Sequence, residues 1–400
     1  MQGRAPPAGG EPASNALEGT RILDFSAMIA GPYCTRWMAD LGAEVIKVEP
    51  LEGDYIRTRA PLRDGCSTYF GHLNAGKRSI ALDLKKPAAV AIARRLAELS
   101  DVVVENFRPG VMRRLGLDYP TLSARNPRLV YCAISGFGQT GPEAARPAFA
   151  QIIHAASGFE MANLHYQDGQ ERPPNIGIFV ADILTASYAV IAVQAALLQR
   201  QRTGRGQLVD VTLMESMLNL LVYEFQEAQF PADRRRPVYR PSRAKDGFII
   251  IAAVNQNNFE NLFAAIGRPE WKGDPRFATN AARLAHWDEL FGLVELWTQE
   301  HTAEACETIL TAAGVPCSRY RTVGEALENQ HLRERGSFAT VQDAAGSFLV
   351  PNPPFRMSAA RAAVGSDIPR LGQHTAPVLS ELLGVGDAEL RRLRDEGAIA

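Results

Sequence analysis

The sequence predicts an α/β fold with a parallel sheet that helices cover on both faces. From residue 17 onward, short runs rich in β-branched residues alternate with helical patterns, which is typical of β-α-β units. The runs are almost continuously apolar rather than alternating, and such strands are usually buried on both faces. In chain order the expected strands are TRILDFS, EVIKVE, SIALDL, DVVVENF, RLVYCAIS and QLVDVTL.

Helical patterns separate these runs. YCTRWMADLG lies between the first two, PAAVAIARRLAELS follows SIALDL, and PGVMRRLG follows DVVVENF. Another helix begins near Asp182 and ends around QRQRTGRGQ, because basic residues and Gly204 are helix stop signals there. Residues 183–198 form the longest apolar stretch, which is shorter than the roughly 20 residues that cross a bilayer. We therefore expect a buried helix and no membrane partner.

The composition changes after about Ala228. The segment FPADRRRPVYRPSRAKDG is rich in Pro and Arg and poor in strand character, which predicts a crossing between two domains. The first residues are rich in Pro, Gly and Ala, as in disordered segments. We expect a disordered extension over 1–16, a large domain over 17–225, a small domain over 226–335, and a C-terminal segment over 336–400 that returns to the large domain.

Composition limits the classes of partner. The 400 residues include 43 basic and 44 acidic side chains, and 46% of them are hydrophobic. A large core is therefore expected. The sequence has no excess or cluster of basic residues, so a nucleic-acid partner is not expected. No HExxH motif or Asp-rich cluster predicts a metal. The cysteines are scattered without a CxxC pair, which favours free thiols in a cytoplasm; they are Cys34, Cys66, Cys132, Cys306 and Cys317.

A glycine motif follows the fifth expected strand. SGFGQTG matches G-x-G-x-x-G through Gly136, Gly138 and Gly141, the pattern of a dinucleotide-binding loop. The acid that such sites carry about twenty residues further on, at the end of a second strand, is missing. A nicotinamide or flavin site is therefore disfavoured, and the motif is either a plain turn or a loop that lines another ligand.

Asp182 is the one acid in the apolar run NIGIFVADILTASYAV. An ionised carboxylate without partners among such side chains costs several kcal/mol or more. One interpretation is an ordinary helix N-cap, whose carboxylate accepts the N–H groups of the first turn. The other is a carboxylate nucleophile, which a helix N-terminus keeps ionised in a dry site. The two interpretations are compatible.

Two further groups of side chains are candidates for a site. Asn106, Arg108 and Arg114 lie at a strand-to-helix junction, where exposed amides and arginines can hold phosphate groups. Solvated surface arginines explain them equally well. His154 is the histidine nearest in sequence to Asp182, and a core or helix-face histidine is favoured over a catalytic acid–base.

Six motifs occur in order along the chain from Leu17: DFSAMIAGPYCTRWMADLGAEVIKVEP, NAGKRSIALDLK, VVVENFRPGVMRRLGLDY, AISGFGQTGP, the AD at 181–182 and PRLGQHTAPVL. Together they resemble the family III coenzyme A-transferases, also called the CaiB/BaiF family. That family includes the formyl-CoA and carnitine CoA-transferases and the related α-methylacyl-CoA racemases. The resemblance implies a Rossmann-like large domain, a smaller α+β domain, and two chains interlocked as a homodimer.

The resemblance implies that Asp182 accepts the acyl group. Its attack on an acyl-CoA thioester gives a mixed anhydride, CoA then moves onto Asp182 as a thioester, and a carboxylic acid finally takes it. No tightly bound cofactor is implied, since acyl-CoA is a substrate. A water-poor pocket would protect the anhydride from hydrolysis, and the glycine loop is a candidate source of N–H donors for the oxyanions.

The same resemblance assigns CoA-binding positions. The implied residues are Met28, Ile29, Ala30, Leu82, Asn106, Phe107 and Arg114, with Gly136 and Gly138 from the glycine loop. Pro50 and Ser135 stand where some family members have basic residues, so the grip on the phosphates differs here. The alternatives that we consider are Arg57, Lys77, Arg78 and Lys85.

The substrate pocket departs from the family pattern. Ala150 and His154 stand where family members usually have Asp and Gln, and Phe149 stands where the racemases have a catalytic histidine. Phenylalanine cannot move a proton, so a transferase is favoured over a racemase. Phe149 and His154 remain candidate pocket residues. A catalytically idle acyl-CoA-binding paralogue is the other class, and the presence of Asp182 argues against it.

Overall fold

The computed structural model describes residues 15–167, 169–231 and 237–400. Most of the extension expected over 1–16 and part of the Arg-rich crossing lie outside these residues. The chain divides into two compact units. The first comprises the described residues up to Gln229 together with Glu334–Ala400, and the second is Phe230–Arg333.

A six-stranded sheet forms the centre of the first unit. Its order is β5-β2-β1-β6-β7-β8, and every neighbouring pair is parallel. This confirms the predicted α/β class, and each expected strand run supplies one strand. The strands of the first unit are β1 Arg21–Asp24, β2 Glu44–Glu49, β3 Leu62–Arg63, β4 Cys66–Ser67, β5 Arg78–Ala81, β6 Val102–Glu105, β7 Val130–Ser135 and β8 Leu208–Thr212. β3 and β4 pair only with each other.

Helices follow most of these strands. In the part of the first unit that ends at Gln229, the helices are α1 Ala30–Asp40, α2 Thr68–Asn74, α3 Pro87–Glu98, α4 Val111–Leu115, α5 Tyr119–Ser123, α6 Ala150–Ala156, α7 Phe159–His165, α8 Val180–Thr203, α9 Leu213–Leu220 and α10 Val222–Glu227. A short 3₁₀ helix covers Tyr55–Thr58.

The second unit is built around the antiparallel sheet β11-β10-β9. Its core is strongly aromatic and includes Phe259, Phe263 and Phe277. The strands are β9 Ser242–Arg243, β10 Phe248–Ile251 and β11 Cys317–Arg319, and a 3₁₀ helix covers Pro269–Gly273. The helices are α11 Gln256–Ala265, α12 Asn280–Ala285, α13 Trp287–Gln299, α14 Ala303–Ala312, α15 Val323–Leu327 and α16 Gln330–Glu334, whose last residue belongs to the first unit.

The C-terminal segment belongs to the first unit. It contains the hairpin β12 Phe338–Asp343 and β13 Gly346–Pro351, followed by α17 Thr375–Leu383 and α18 Asp387–Asp395. Thr375 Oγ1 accepts a hydrogen bond from Ala81 N at 3.0 Å, and His374 N donates to Ser79 O at 2.9 Å. These bonds attach the segment to the edge strand β5.

The parallel sheet is buried on both faces, as its apolar strands require. Successive side chains of a strand point to opposite faces of the sheet. Leu23 and Val103 belong to the first core cluster, whereas their neighbours Ile22 and Val102 belong to the second. Residues of α3, α17 and α18 fill the first cluster, and residues of α1, α8 and α9 fill the second.

Helix α8 is the longest helix in the described chain and crosses the second core. Its buried side contains mainly small residues, such as Ala186, Ala189 and Ala196, which lets α1 approach closely. It ends at Gly204, whose φ of 72° is left-handed, as the stop signal predicts. By length and composition alone α8 is able to cross a membrane, but a helix in a protein core meets the same criteria.

Candidate functional site

The strand order reverses between β1 and β6. Ligands of open parallel sheets bind outside the carboxyl ends of the strands at such a point. A cavity of about 620 Å³ opens there. It is lined by the loop after β1 (Phe25, Ser26, Ala27), by β2 and the chain after it (Lys47, Val48, Glu49, Pro50, Glu52, Gly53, Asp54, Tyr55, Thr58), by the loop after β5 (Leu82, Asp83, Leu84, Lys85), and by Phe107, Val111 and Leu115. We call this cavity the switch-point cleft.

Asn106 joins the two strands at the reversal. Its Oδ1 accepts from Ala27 N at 2.9 Å, and its Nδ2 donates to Ala27 O at 2.7 Å. The side-chain amide of Asn106 is therefore engaged with the backbone of Ala27 and joins the two loops. Its contact with CoA stays a prediction. Met28 follows with φ of 65°, a left-handed conformation that costs roughly 1–2 kcal/mol for a residue with a side chain. Such strain is typical of functional loops.

Buried charges hold the floor of the cleft. Lys47 Nζ donates to Asp54 Oδ2 at 3.0 Å and to Ser26 O at 2.8 Å, and Asp54 Oδ1 accepts from Ile56 N at 3.1 Å. Arg57 forms a two-bond pair with Glu49, at 2.7 Å for both bonds. Although burial alone would raise the pKa of Glu49, its contacts with Arg57 and Lys47 hold that pKa below the ordinary value.

Most of the cations considered for the phosphates are already engaged. Lys77 is buried and donates to Asp24, Thr35, Asn74 and Pro32 O, and this shows that it is not available to a ligand. Arg57 pairs with Glu49 as above, and Arg78 pairs with Glu44 and Glu381.

Lys85 is the exception among the four alternatives. It is exposed and lines the switch-point cleft. Arg114 is also exposed, and its side chain has no hydrogen bond or ion pair with any described residue. It does not line the cleft, whereas Val111 and Leu115 of the same short helix do.

Asp182 lies in the first turn of α8. The helix begins at Val180 and Phe179 holds the N-cap position, so the interpretation of Asp182 as the N-cap is wrong. The side chain is half-buried and makes no hydrogen bond or ion pair within the part of the chain that the structure describes. Burial raises its pKa to about 7. The carboxylate thus carries the desolvation cost without any compensating partner in these residues.

A second cavity, of about 540 Å³, lies at the start of α8, and Asp182 itself is not among its lining residues. Phe179 and Ile183, on either side of Asp182 in the sequence, line it together with Tyr69. Burial raises the pKa of Tyr69 to about 12, with the charges of Asp182 and Asp54 adding to the effect. Its other lining residues are Ile29, Ala60, Pro61, Thr68, His72, Leu73, Ile178, Phe348, Leu349 and Val350. We call it the Asp182 cavity.

The structure brings several predicted residues to these two cavities. Met28 and Ile29 pack in one hydrophobic cluster with Tyr69 and Phe179, next to the start of α8. Other predicted positions divide between the cleft and the interior: Leu82 and Phe107 line the switch-point cleft, and Ala30 is buried as the first residue of α1.

Neither candidate pocket residue lines either cavity. Phe149 is 62% exposed at the N-cap of α6. His154 is 0% exposed, which agrees with the favoured interpretation of a core histidine. Its Nε2 accepts a hydrogen bond from Ala181 N at 3.1 Å.

The glycine loop is a folded turn. Gly138 N donates to Ser135 Oγ at 2.9 Å, and Gln139 N donates to Asp210 Oδ2 at 2.9 Å. These two N–H groups are therefore not available as oxyanion donors. A Cβ on Gly136 would come within 2.4 Å of the Ala148 Cβ. The close packing against Ala148 therefore explains why this position is a glycine. Neither Gly136 nor Gly138 lines the switch-point cleft, and their contacts with CoA stay a prediction.

Sequence reasoning missed Tyr69. Its phenol senses the charge of Asp182, yet a tyrosine in a short helix over 68–74 gives no signal of function by itself. Only the folded structure places it beside a residue so distant in sequence. Among the described residues, no group of three or more His, Cys, Asp or Glu side chains is arranged to hold a metal ion.

The fold and the site together define an α/β protein with a Rossmann-like strand order, a cleft at the strand reversal, and an unpaired carboxylate in the first turn of a core helix. The model of CoA-transferase family III matches residues 17–375, and the chain belongs to this family.

Proteins of known family are similar to this chain over almost its whole length. The Succinyl-CoA--D-citramalate CoA-transferase of Chloroflexus aurantiacus is 37% identical over 96% of this chain and 98% of its own length. The Succinate--glutarate CoA-transferase of Agrobacterium fabrum is 35% identical over 92% and 95%. Among solved structures, a CAIB/BAIF family protein from Brucella suis has a TM-score of 0.81 and 34% identity, covering 92% of this chain and all of that one.

Proposed function

We propose that this protein moves CoA from an acyl-CoA thioester to a carboxylic acid through covalent intermediates on Asp182. The observation that carries the proposal is the carboxylate itself, which is half-buried and lacks a partner among the described residues, while its neighbours Phe179 and Ile183 line a cavity. A buried carboxylate that only supported the fold would be expected to have hydrogen-bond partners. One that attacks a thioester needs its oxygen atoms free.

The reaction balances without ATP. A carboxylate oxygen of Asp182 attacks the thioester carbonyl, the C–S bond breaks, and a mixed anhydride and CoA thiolate form. The thiolate attacks the aspartyl carbonyl and releases the donor acid. The acceptor carboxylate then attacks the aspartyl thioester, giving a second anhydride and thiolate. The thiolate finally attacks the acceptor carbonyl, which yields the new acyl-CoA and restores Asp182.

The two cavities suggest how the substrate lies. We place the nucleotide end of CoA at the switch-point cleft, near the exposed Lys85 and Arg114. The pantetheine arm would then pass Met28 and Ile29, which pack beside the start of α8. The mostly apolar lining of the Asp182 cavity would exclude water and so protect the anhydride.

The relatives indicate which substrates to test first. Two of them are named for succinyl or succinate substrates with D-citramalate or glutarate. We therefore propose succinyl-CoA as donor and short dicarboxylic acids as acceptors. Among the described residues, no lysine or arginine lines the Asp182 cavity, so an apolar monocarboxylic acid belongs in the same assay as a second acceptor class.

The test is a panel of donors and acceptors read by mass spectrometry. Succinyl-CoA is incubated with glutarate, D-citramalate or hexanoate, and each acyl-CoA and free acid is quantified. We expect the acceptor to gain CoA in equal amount to the donor acid released, without accumulation of free CoA. Hydrolysis alone, or exchange with none of a wider set of acids, would contradict the proposal and favour an acyl-CoA-binding protein.

The same panel in deuterated water separates a transferase from a racemase. Phe149 holds the position of the racemase histidine and has no proton to transfer. We expect a 2-methylacyl-CoA to gain no enzyme-dependent α-deuterium. Rapid deuterium uptake in the absence of an acceptor would overturn the choice of transferase.

We also propose a homodimer, which the family resemblance implies as an interlocked pair. Large apolar side chains are exposed on and before α6 and α8, as expected for surfaces that a second copy covers; they include Phe149, Ile152, Ile178, Ile191 and Leu198. Mass photometry at nanomolar concentration should show twice the chain mass. A folded, active monomer under these conditions would contradict the dimer.

A further inference from the structure

The first turn of α8 lacks an ordinary side-chain cap. Helices leave their first backbone N–H groups without intrahelical partners, and Ser, Thr, Asp or Asn usually accepts one of them. Phe179 at the N-cap has no side-chain acceptor. His154 of α6 takes this place from outside the helix, because its Nε2 accepts from Ala181 N at 3.1 Å. Ala181 directly precedes Asp182.

This contact fixes the proton of the imidazole. Because Nε2 accepts a hydrogen bond with its lone pair, it carries no proton, and the proton of the neutral ring is on Nδ1. Nδ1 is buried and has no hydrogen-bond partner among the described residues. Burial lowers the pKa of His154, although the charge of Glu160 acts in the opposite direction, so the ring is neutral at pH 7. A protonated ring would point an N–H at the N–H of Ala181.

The imidazole is held rigidly. Its side chain is completely enclosed, and its ring lies 5.4 Å from that of Phe159, centroid to centroid. Ala150 and Ile153 of the same helix belong to the hydrophobic cluster that also contains Ala181. The start of α8 is therefore attached to the core by packing and by the hydrogen bond from Ala181 N to His154 Nε2. This bond fixes the orientation of the first turn.

We propose that His154 is a positioning residue, which holds the first turn of α8 so that the carboxylate of Asp182 points at the thioester. This inference rests on the proposed transferase function. His154 does not touch substrate, since it is enclosed and lines neither cavity. It acts through the backbone of the residue before the nucleophile. Displacing a reacting group by about 1 Å costs on the order of a hundredfold in rate.

The test compares side chains that differ in where they place an acceptor. In His154→Gln the amide oxygen reaches the position of Nε2, whereas in His154→Asn it reaches only that of Nδ1. His154→Leu keeps bulk and removes the acceptor. We expect His154→Leu and His154→Asn to lower kcat by about tenfold to a hundredfold with KM for acyl-CoA changed less than about twofold. His154→Gln should stay within about threefold of wild type.

A matched control separates position from stability. Val193 is buried further along α8 in the same cluster, and Val193→Ala leaves the helix start unchanged. It should lower Tm while leaving kcat within about twofold. If Val193→Ala loses as much kcat as His154→Leu at equal loss of Tm, or if folded His154→Leu keeps the wild-type kcat, the positioning role is wrong.

A readout that does not need turnover distinguishes failure of this inference from failure of the proposed function. In ¹⁵N-histidine spectra, Nε2 of His154 should be the unprotonated nitrogen at pH 7. Hydrogen exchange at the amide of Ala181 should accelerate in His154→Leu and His154→Asn and remain slow in His154→Gln. If the wild type shows this cap but transfers CoA to no acid, the proposed function fails and the contact stands. If Nε2 is protonated in the wild type, the inference fails whatever the activity.

Discussion

The carboxylates of Asp24 and Asp182 lie in the same unit but in opposite surroundings. Asp24 is 0% exposed and accepts hydrogen bonds from Thr35 at 2.6 Å and Lys77 at 3.0 Å. Burial alone would raise the pKa of Asp24, but Lys77, Lys47 and two hydroxyl groups hold it below the ordinary value. No such groups oppose burial at Asp182, and its pKa rises to about 7.

The comparison separates charges that support the fold from a charge that is free to react. Asp24 and its partners attach β1 to the chain around Lys77. Asp182 adds nothing of this kind and lowers stability whenever it is ionised. Proteins retain such unfavourable groups mainly at functional sites. Replacing Asp182 should therefore lower the rate of CoA transfer, whereas replacing Asp24 should lower the stability of the fold.

The largest expected effect is on transfer. Asp182→Asn should lower kcat on the order of a thousandfold or more, because it removes the nucleophile rather than an auxiliary group. Folding and CoA binding should be nearly unchanged. In the wild type, hydroxylamine added during turnover should modify Asp182, as shown by peptide mass spectrometry. An unmodified Asp182 peptide, or an Asn variant with a tenth of wild-type activity, would remove it from the mechanism.

The second-largest expected effect is a loss of folding stability when Asp24 is replaced. Asp24→Leu leaves Lys77 buried without its charged partner, which typically costs about 3–5 kcal/mol. The measurement is the first unfolding transition in urea, together with Tm. The double change Asp24→Leu with Lys77→Met should recover part of the loss, because a buried pair is often replaceable by apolar residues. A double variant that loses the sum of both single effects would show that the pair does not act as a unit.

These contrasts also show what the sequence predicts well. The apolar runs and helix stop signals predicted the parallel sheet and the end of α8 because both depend on local pattern. The anomaly of one acid in an apolar run identified Asp182 as a candidate. The interpretation of Asp182 as the N-cap is wrong, because α8 begins at Val180 after Phe179, which is not a typical capping residue.

Long-range pairing explains the remaining errors. The sequence offers Lys77 as a candidate to hold the phosphates, but this lysine contacts Asp24, 53 residues away, because β5 and β1 share a sheet. His154 contacts a backbone amide 27 residues away. Neither contact leaves a periodic signal in the sequence, since each depends on strand order and helix packing.

A smaller effect follows from pH. The reactive form of Asp182 is the carboxylate, so kcat/KM should rise with pH up to about 7 and then level off. Stability should change in the opposite sense. A carboxyl group whose pKa is raised by folding contributes stability below its unfolded pKa and loses that contribution as the pH rises through the folded pKa. Asp182→Asn should therefore melt above wild type at pH 8.5, with the difference shrinking toward pH 4. An Asn variant that melts below wild type at pH 8.5 would mean that the ionised carboxylate has a partner after all.

The smallest expected effect concerns the exposed cations. Lys85→Ala and Arg114→Ala should each weaken CoA binding by about 1 kcal/mol, because a charge-assisted contact at the surface is partly screened. Lys86 is a matched control, since it is the adjacent exposed lysine and does not line the switch-point cleft. Isothermal titration at two salt concentrations measures the effect.

The truncated substrate decides what these cations contact. If Lys85 and Arg114 hold phosphate groups, their replacement should not alter the affinity for an acyl-pantetheine that lacks the nucleotide, and raising the salt concentration should reduce the loss for full acyl-CoA. An equal loss for both substrates would mean that these side chains support the local fold instead. A Lys86→Ala variant as weak as Lys85→Ala would show that net charge, rather than position in the cleft, attracts CoA.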